Sequence, residues 1–326
     1  MTTSARRKLL QAGLVVAGCM ALSMPALAQT SQPVRLVVGY AAGGPADQAA
    51  RLFATALGKA MNANVVVDNK GGANGTLAAA EVVRAKPDGM TIWFAASATP
   101  TVAPHLMKLP FDLAKDLTPL GPVARYYNML VANNNQPFNN TKELVEFAKA
   151  KPDQLAYGSS GIGSSNHLAA ALLAQKAQIQ LNHVPYKGNA PAMTDAMGGQ
   201  LNMIFDIIST ASGFVQSGKL KAIAVGSPTR SPLLPNVPTF RESGIEGLKD
   251  YEAGGWYGIY APKGLPADLN QKLVQAVNQA VSDEELKKRY AELGYDQWVG
   301  TPADLADTAA KDRAQWGGLL SGLTIN

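Results

Sequence analysis

Val34-Arg35-Leu36-Val37-Val38-Gly39-Tyr40-Ala41-Ala42-Gly43-Gly44-Pro45-Ala46-Asp47 is the stretch on which the fold turns. Its first five residues form a short apolar run closed by glycine, the pattern of a buried strand. Past the glycines, Ala49, Leu52, Phe53, Ala56, Leu57, Ala60 and Met61 recur at helical spacing. A strand feeding a helix through small residues lets a ligand approach the backbone closely. The helix start adds unpaired N–H groups and the positive end of a dipole. A second turn of the same kind, Tyr157-Gly158-Ser159-Ser160-Gly161-Ile162-Gly163-Ser164-Ser165-Asn166-His167, precedes a helical pattern from Ser164 to Lys176. Two such turns facing each other form an anion site without a cationic side chain.

Working outward, Asn64 to Val67 and Thr91 to Ala95 read as strands, and Thr76 to Lys86 as a helix stopped by Pro87-Asp88-Gly89. This βαβαβ order predicts a parallel, doubly wound sheet with helices on both faces. The grammar then restarts. Met129 to Val131 and Leu155 to Tyr157 read as strands, with a helix from Thr141, its cap candidate, to Lys149. Gln200 to Ile208, Leu220 to Val225 and Trp256 to Tyr260 read as further strands, and three amphipathic helices close the chain. The restart implies two similar α/β lobes, with ligands at the carboxyl ends of the strands, where both turns lie.

Ahead of this region, Arg6-Arg7-Lys8, an apolar run from Leu9 to Leu22 and Ala26-Leu27-Ala28 follow signal-peptide order. Residues 1–28 are expected to be a leader cleaved after Ala28, sending the chain to the periplasm. Two variants stay open: a loose twin-Arg reading of Arg6-Arg7, and a lipid on Cys19, which sits in Val16-Ala17-Gly18-Cys19. The chain carries 29 Lys+Arg and 24 Asp+Glu, and three of the basic residues precede Gln29, leaving a balance of +2. Such a balance does not argue for nucleic acid. Cys19 is the only cysteine, so the remainder holds no disulfide or thiol nucleophile. Gly158-Ser159-Ser160-Gly161 lacks nucleophile-elbow spacing, and no phosphate loop occurs. His105, His167 and His183 lack metal-ligand spacing. No catalytic residue, cofactor or metal is expected.

Several further pieces lie in order along the chain: Val67-Asp68-Asn69-Lys70-Gly71-Gly72-Ala73-Asn74-Gly75, His183-Val184-Pro185-Tyr186-Lys187-Gly188, Phe205-Asp206, Ser217-Gly218-Lys219-Leu220 and Pro235-Asn236-Val237-Pro238-Thr239. With the two turns, they resemble the periplasmic solute receptors of tripartite tricarboxylate transporters, the Bug-type receptors. The resemblance implies a type II periplasmic-binding-protein fold: two lobes, residues 29–127 with 252–326 and residues 128–251, joined by a hinge of crossing strands. It implies a small carboxylate ligand (a di- or tricarboxylate, an aromatic acid or an acidic amino acid) held by the loops Ala42–Gly44 and Ser160–Ser165. It also implies membrane transporter subunits as partners. A monomer is expected. A sensing receptor for a signalling partner is the alternative role, with an exported hydrolase further behind. The chain departs from the family pattern at Ala42 and Pro45, at Asn166, and at Ile207 and Ile208, which follow Asp206.

The candidate ligand-binding residues are Ala42, Gly43, Gly44, Ser97, Thr99, Ser160, Gly163, Ser164, Ser165, His167 and Asp206. Asp47 reads as a helix cap, since a carboxylate would repel an anion. His167 reads equally as a packing residue. Asp206, a charge inside an apolar run, must be paired: it either receives a ligand donor or caps a neighbouring helix. Replacing Gly163 with a bulky residue is expected to abolish binding without unfolding the protein.

Overall fold

The computed structural model describes residues 32–152 and 154–321; the leader, Cys19 and the expected cleavage site lie outside the described residues. Ten strands follow in chain order: β1 Val34–Val38, β2 Val65–Asn69, β3 Thr91–Ala96, β4 Leu117–Ala132, β5 Ala156–Ser159, β6 Asn182–Pro185, β7 Met203–Ile207, β8 Lys221–Val225, β9 Gly254–Pro262 and β10 Asp296–Gln297. The strand order is β2-β1-β3-β9-β4-β7-β5-β6, with β8 and β10 also paired to β4. At one end β2, β1 and β3 are parallel, and at the other so are β7, β5 and β6.

The βαβαβ stretch is parallel as expected, and the centre of the sheet is antiparallel. β9 runs antiparallel to both β3 and β4, and β4 runs antiparallel to β7 and β8. β4 accounts for this. Its residues Leu117 to Tyr127 pair with β9, and Asn128 to Ala132 pair with β7 and β8. One 16-residue strand therefore serves both halves of the sheet. Pro119, Gly121 and Pro122 sit where the β4–β9 register shifts. Bulges and prolines interrupt pairing locally without ending a strand.

Strand alternation distributes the core. Leu36, Val38, Ile92 and Phe94 pack with the helices Pro45–Met61 and Ala267–Val281 on one face. Val37, Trp93 and Ala95 point to the other face, against the helix Thr76–Val83 and Leu305. The other half repeats the arrangement: Leu130, Met203 and Phe205 face one cluster, and Met129, Val131 and Ile204 the opposite one. Side chains of period two on a sheet covered twice explain why these strands are predominantly apolar on both faces.

Three local expectations are corrected. Asn140, not Thr141, caps the helix Thr141–Ala150; its side chain accepts from the Glu143 N–H at 3.0 Å. The run Gln200 to Ile208 divides into β7 and a helix that starts at Ile208. The helix begun at Thr76 ends at Val83, short of Lys86. Among the described residues no helix is long and apolar enough to cross a membrane.

Candidate functional site

Both glycine turns border a cavity of about 730 Å³. Of the sequence candidates, Ala42, Gly43, Gly44, Ser160, Ser164, Ser165 and Asp206 line it. Ser97, Thr99, Gly163 and His167 do not.

The first turn is shaped by Asp47. Its carboxylate accepts from the Gly43 N–H at 2.8 Å, from Arg51 Nε at 2.9 Å and from Asn69 Nδ2 at 3.0 Å. Burial raises its pKa, but these donors outweigh burial and hold the carboxyl below its ordinary value. Asp47 does not cap its helix as expected: it reaches back from the first turn to the loop and uses the Gly43 N–H that a ligand would otherwise meet. Gly44 is the N-cap of the helix Pro45–Met61, with φ −79° and ψ 172° and no side-chain cap. Pro45 has no N–H. The backbone donors of this helix start are those of Ala46 and Asp47, which have no intrahelical acceptor.

The second turn is organised by hydroxyls. Ser164 caps the helix Ser165–Ala177, its Oγ accepting from the His167 N–H at 3.3 Å and donating to the Gly161 carbonyl at 2.7 Å. Ser160 Oγ donates to Asn166 Oδ1 at 2.8 Å, and Asn166 Nδ2 donates to the Phe205 carbonyl at 2.8 Å. Asn128, fully buried at the switch point of β4, donates to the Ser165 carbonyl at 3.1 Å. Ser165 and Asn166 carry this helix's first N–H groups, and both residues line the cavity.

The other candidates support the wall from behind. Ser97 lies beside the Tyr126 hydroxyl. Thr99 Oγ1 donates to the Asn74 carbonyl at 2.6 Å, holding Asn74 in a left-handed conformation (φ 53°). Asn74 Nδ2 then reaches the Ile162 carbonyl at 3.3 Å, linking the two turn regions. His167 Nδ1 accepts the Gly163 N–H at 3.1 Å, and its ring stacks on His183 with centroids 4.2 Å apart. Burial, then the neighbouring His183, pushes the His167 pKa down to about 4. A neutral ring that accepts from the turn is a positioning residue.

Gly163 corrects the expectation placed on it. Its φ is +77°, and a Cβ there would lie 2.2 Å from Leu106 Cδ1 and 3.2 Å from Val102 Cγ1. A side chain at 163 strains the backbone and the packing behind the cavity together. Gly163→Ala is expected to lower stability by about 1–3 kcal/mol in chemical denaturation. An unchanged midpoint would show that this packing yields freely.

Asp206 also resolves. It accepts from the Ile207 N–H at 2.7 Å, from Thr210 Oγ1 at 2.6 Å and from Asn189 Nδ2. Two of these donors belong to the start of the helix Ile208–Gln216, but one is the N-cap residue's own N–H and the other a side-chain hydroxyl, so the carboxylate ties that helix start to Asn189 without capping the helix. Burial raises its pKa to about 6, against the pull of those hydrogen bonds.

Sequence reading missed Lys187, Asn189, Met193, Thr210 and Phe214, which complete the cavity wall. A signal was present. Lys187-Gly188-Asn189 joins β6 to the helix Asn189–Gly198 through a glycine of φ +112°, the same grammar as the other two turns. Tyr257, on the strand read from Trp256 to Tyr260, contributes to the wall as well.

A mixed sheet in two halves joined by crossing strands, with helix starts around a cavity, defines a solute-binding receptor. The same architecture is found in the periplasmic binding protein BugD, which is 36% identical at a TM-score of 0.78 over 89% of this chain and 96% of that one. The pattern of the tripartite tricarboxylate transporter family receptors matches residues 49–325, and this chain belongs to that family. Two Rhodopseudomonas palustris structures are also similar. Rpa4515, solved with adipate, is 28% identical at a TM-score of 0.81, covering 90% of this chain and 97% of its own. MatC, solved with bound malate, is 31% identical at 0.77, covering 88% and 98%.

Proposed function

We propose that this protein is an exported receptor that captures a small carboxylate between two lobes and delivers it to the membrane subunits of a tripartite transporter. The lobes are residues 29–127 with 252–326, and residues 128–251. The observation that carries this reading is the pair of helix starts, at Ala46–Asp47 and Ser165–Asn166, bordering one cavity. Backbone N–H groups and aligned dipoles favour an anion there. The carboxylates held by the adipate- and malate-bound relatives support the same class of ligand. Closure of the lobes would bury the ligand and strengthen each of these interactions. No chemical step is assigned: the Ser159 hydroxyl that bonds His183 Nε2 at 2.6 Å is buried outside the cavity wall.

The test is a thermal-shift screen of residues 29–326 against mono-, di- and tricarboxylates, aromatic acids and acidic amino acids. A ligand present at ~100 times its dissociation constant adds about 2.7 kcal/mol of stability. A clear rise in Tm with one class, with the compound recovered unchanged, is the expected result. No rise with any member, from protein shown by mass spectrometry to be ligand-free, would sink the reading.

A further inference from the structure

We infer that Lys187 reads a second anionic group on the ligand and makes this receptor discriminate dicarboxylates from monocarboxylates of the same chain length. The inference rests on the carboxylate reading of the cavity and adds a residue and a selectivity to it.

Among the described residues, two that line the cavity carry a formal charge, Asp206 and Lys187. Asp206 is engaged by three donors from its own fold, as described above, and it is only 1% exposed. Its charge is therefore spent on the protein. Lys187 differs on both points. It is exposed, and among the described residues no carboxylate pairs with its ammonium. The unsatisfied charge in the cavity is therefore positive. An ammonium offers three donors and no acceptor, so its complement is an anion.

The surroundings of Lys187 favour the same sign. Gly188, next in the chain, N-caps the helix Asn189–Gly198 without a side-chain cap, and no acidic residue stands in that helix's first turn. No atom of the described residues lies within 4 Å of the position a Gly188 Cβ would take, so the backbone next to Lys187 in the chain is open. The turn also belongs to a different part of the chain from the two helix starts assigned to the first carboxylate. One ligand carboxylate at those starts leaves the other end of an extended dianion to meet Lys187. Pairing in a cleft that excludes water is stronger than at an open surface.

The experiment is titration calorimetry on residues 29–326 with matched probes: succinate and butyrate, glutarate and pentanoate, adipate and hexanoate. In the wild type, at least one dicarboxylate should bind more tightly than its monocarboxylate partner. Lys187→Gln should shrink that ratio by about tenfold, the scale of a hydrogen bond to a charged group. Lys187→Glu should bring it to unity or below. Raising the ionic strength should shrink the wild-type ratio and leave the Lys187→Gln ratio unmoved. Unchanged circular dichroism and Tm verify that both variants fold. Equal binding of both members of every pair by the wild type, or a ratio retained in Lys187→Gln, would overturn the inference while leaving the receptor reading intact. Binding of none of the probes, together with a negative carboxylate screen, would remove the receptor reading and this inference together.

Discussion

Gly44→Asp is expected to reduce carboxylate affinity at least a hundredfold while leaving the fold at wild-type stability or slightly above it. Gly44 has φ −79° and ψ 172°, a conformation open to any residue. A Cβ there would meet only the Ala41 carbonyl, at 3.4 Å. The position is the N-cap of Pro45–Met61, where aspartate is favoured at least as much as glycine. Its carboxylate would occupy the donors of the helix start and repel an incoming anion, a combined effect of about 3 kcal/mol or more. Gly44→Asn separates the two causes, because it adds nearly the same volume without charge and should lose less affinity. Calorimetry with the ligand found by thermal shift measures both variants. Wild-type affinity in a folded Gly44→Asp protein would exclude this helix start from the site. Gly44 serves this purpose where Gly163 does not, because Gly163 faces packed side chains rather than the cavity.

The second large effect is a pair of opposed titrations. His167 is neutral in the fold, its pKa lowered from 6.5 to about 4, first by burial and then by His183. The folded state resists its protonation. Its contribution to stability is therefore complete above pH 6.5 and is lost as pH falls towards 4, by roughly 3 kcal/mol. Asp206 runs the other way. Its pKa is raised from 3.8 to about 6, so the folded state binds a proton that the unfolded chain has released. Its contribution is complete below pH 3.8 and is lost as pH rises through 6, again by roughly 3 kcal/mol. Between pH 4 and 6.5 the two largely offset each other. His183, also lowered by burial, tips the balance towards loss on acidification.

Two variants separate the contributions of the two groups. His167→Gln should flatten the acid-side fall in unfolding free energy, and Asp206→Asn should steepen it. Urea unfolding at closely spaced pH values from 4 to 7 reads both directly. Profiles parallel to the wild type in either variant would show that the group does not titrate differently in the folded state. The chemistry behind the His167 term is specific. Nδ1 accepts from the Gly163 N–H, and a protonated ring would turn a second donor towards that N–H. Acid would then loosen the turn that ends in the Ser165 helix start, and ligand affinity should fall over the same range.

Much of the fold was legible because its signals are local. β1, its glycine turn and the helix after it are read from four apolar residues in a run of five, the glycines that follow and a helical period. The same grammar at Ser160–Ser165 located the second turn. β4 was legible only at its end, because Pro119, Gly121 and Pro122 act locally as breaks and the strand is held through them by β9. β6 was missed for a related reason: it is four residues long, and its pairing with β5 supplies the order that its own sequence does not. The candidate site divided along similar lines. Ala42, Gly43, Gly44, Ser160, Ser164 and Ser165 on the two turns reached the cavity wall, whereas Gly163, His167, Ser97 and Thr99 lie behind it.

The sequence by itself determined the alternation of strands and helices, the two faces of each strand, the two glycine turns, the family resemblance and the absence of cysteine chemistry after Cys19. These follow from side-chain period, from the conformational freedom of glycine and from composition, all properties of neighbouring residues. Tertiary structure alone decided that β4 and β9 cross antiparallel through the centre, that Asp47 consumes the Gly43 N–H, and that His167 meets His183. It also decided that Asp206 is satisfied by Asn189, Ile207 and Thr210, while among the described residues no carboxylate pairs with Lys187. A polar group's role depends on which partners reach it, and several of those partners lie far away along the chain.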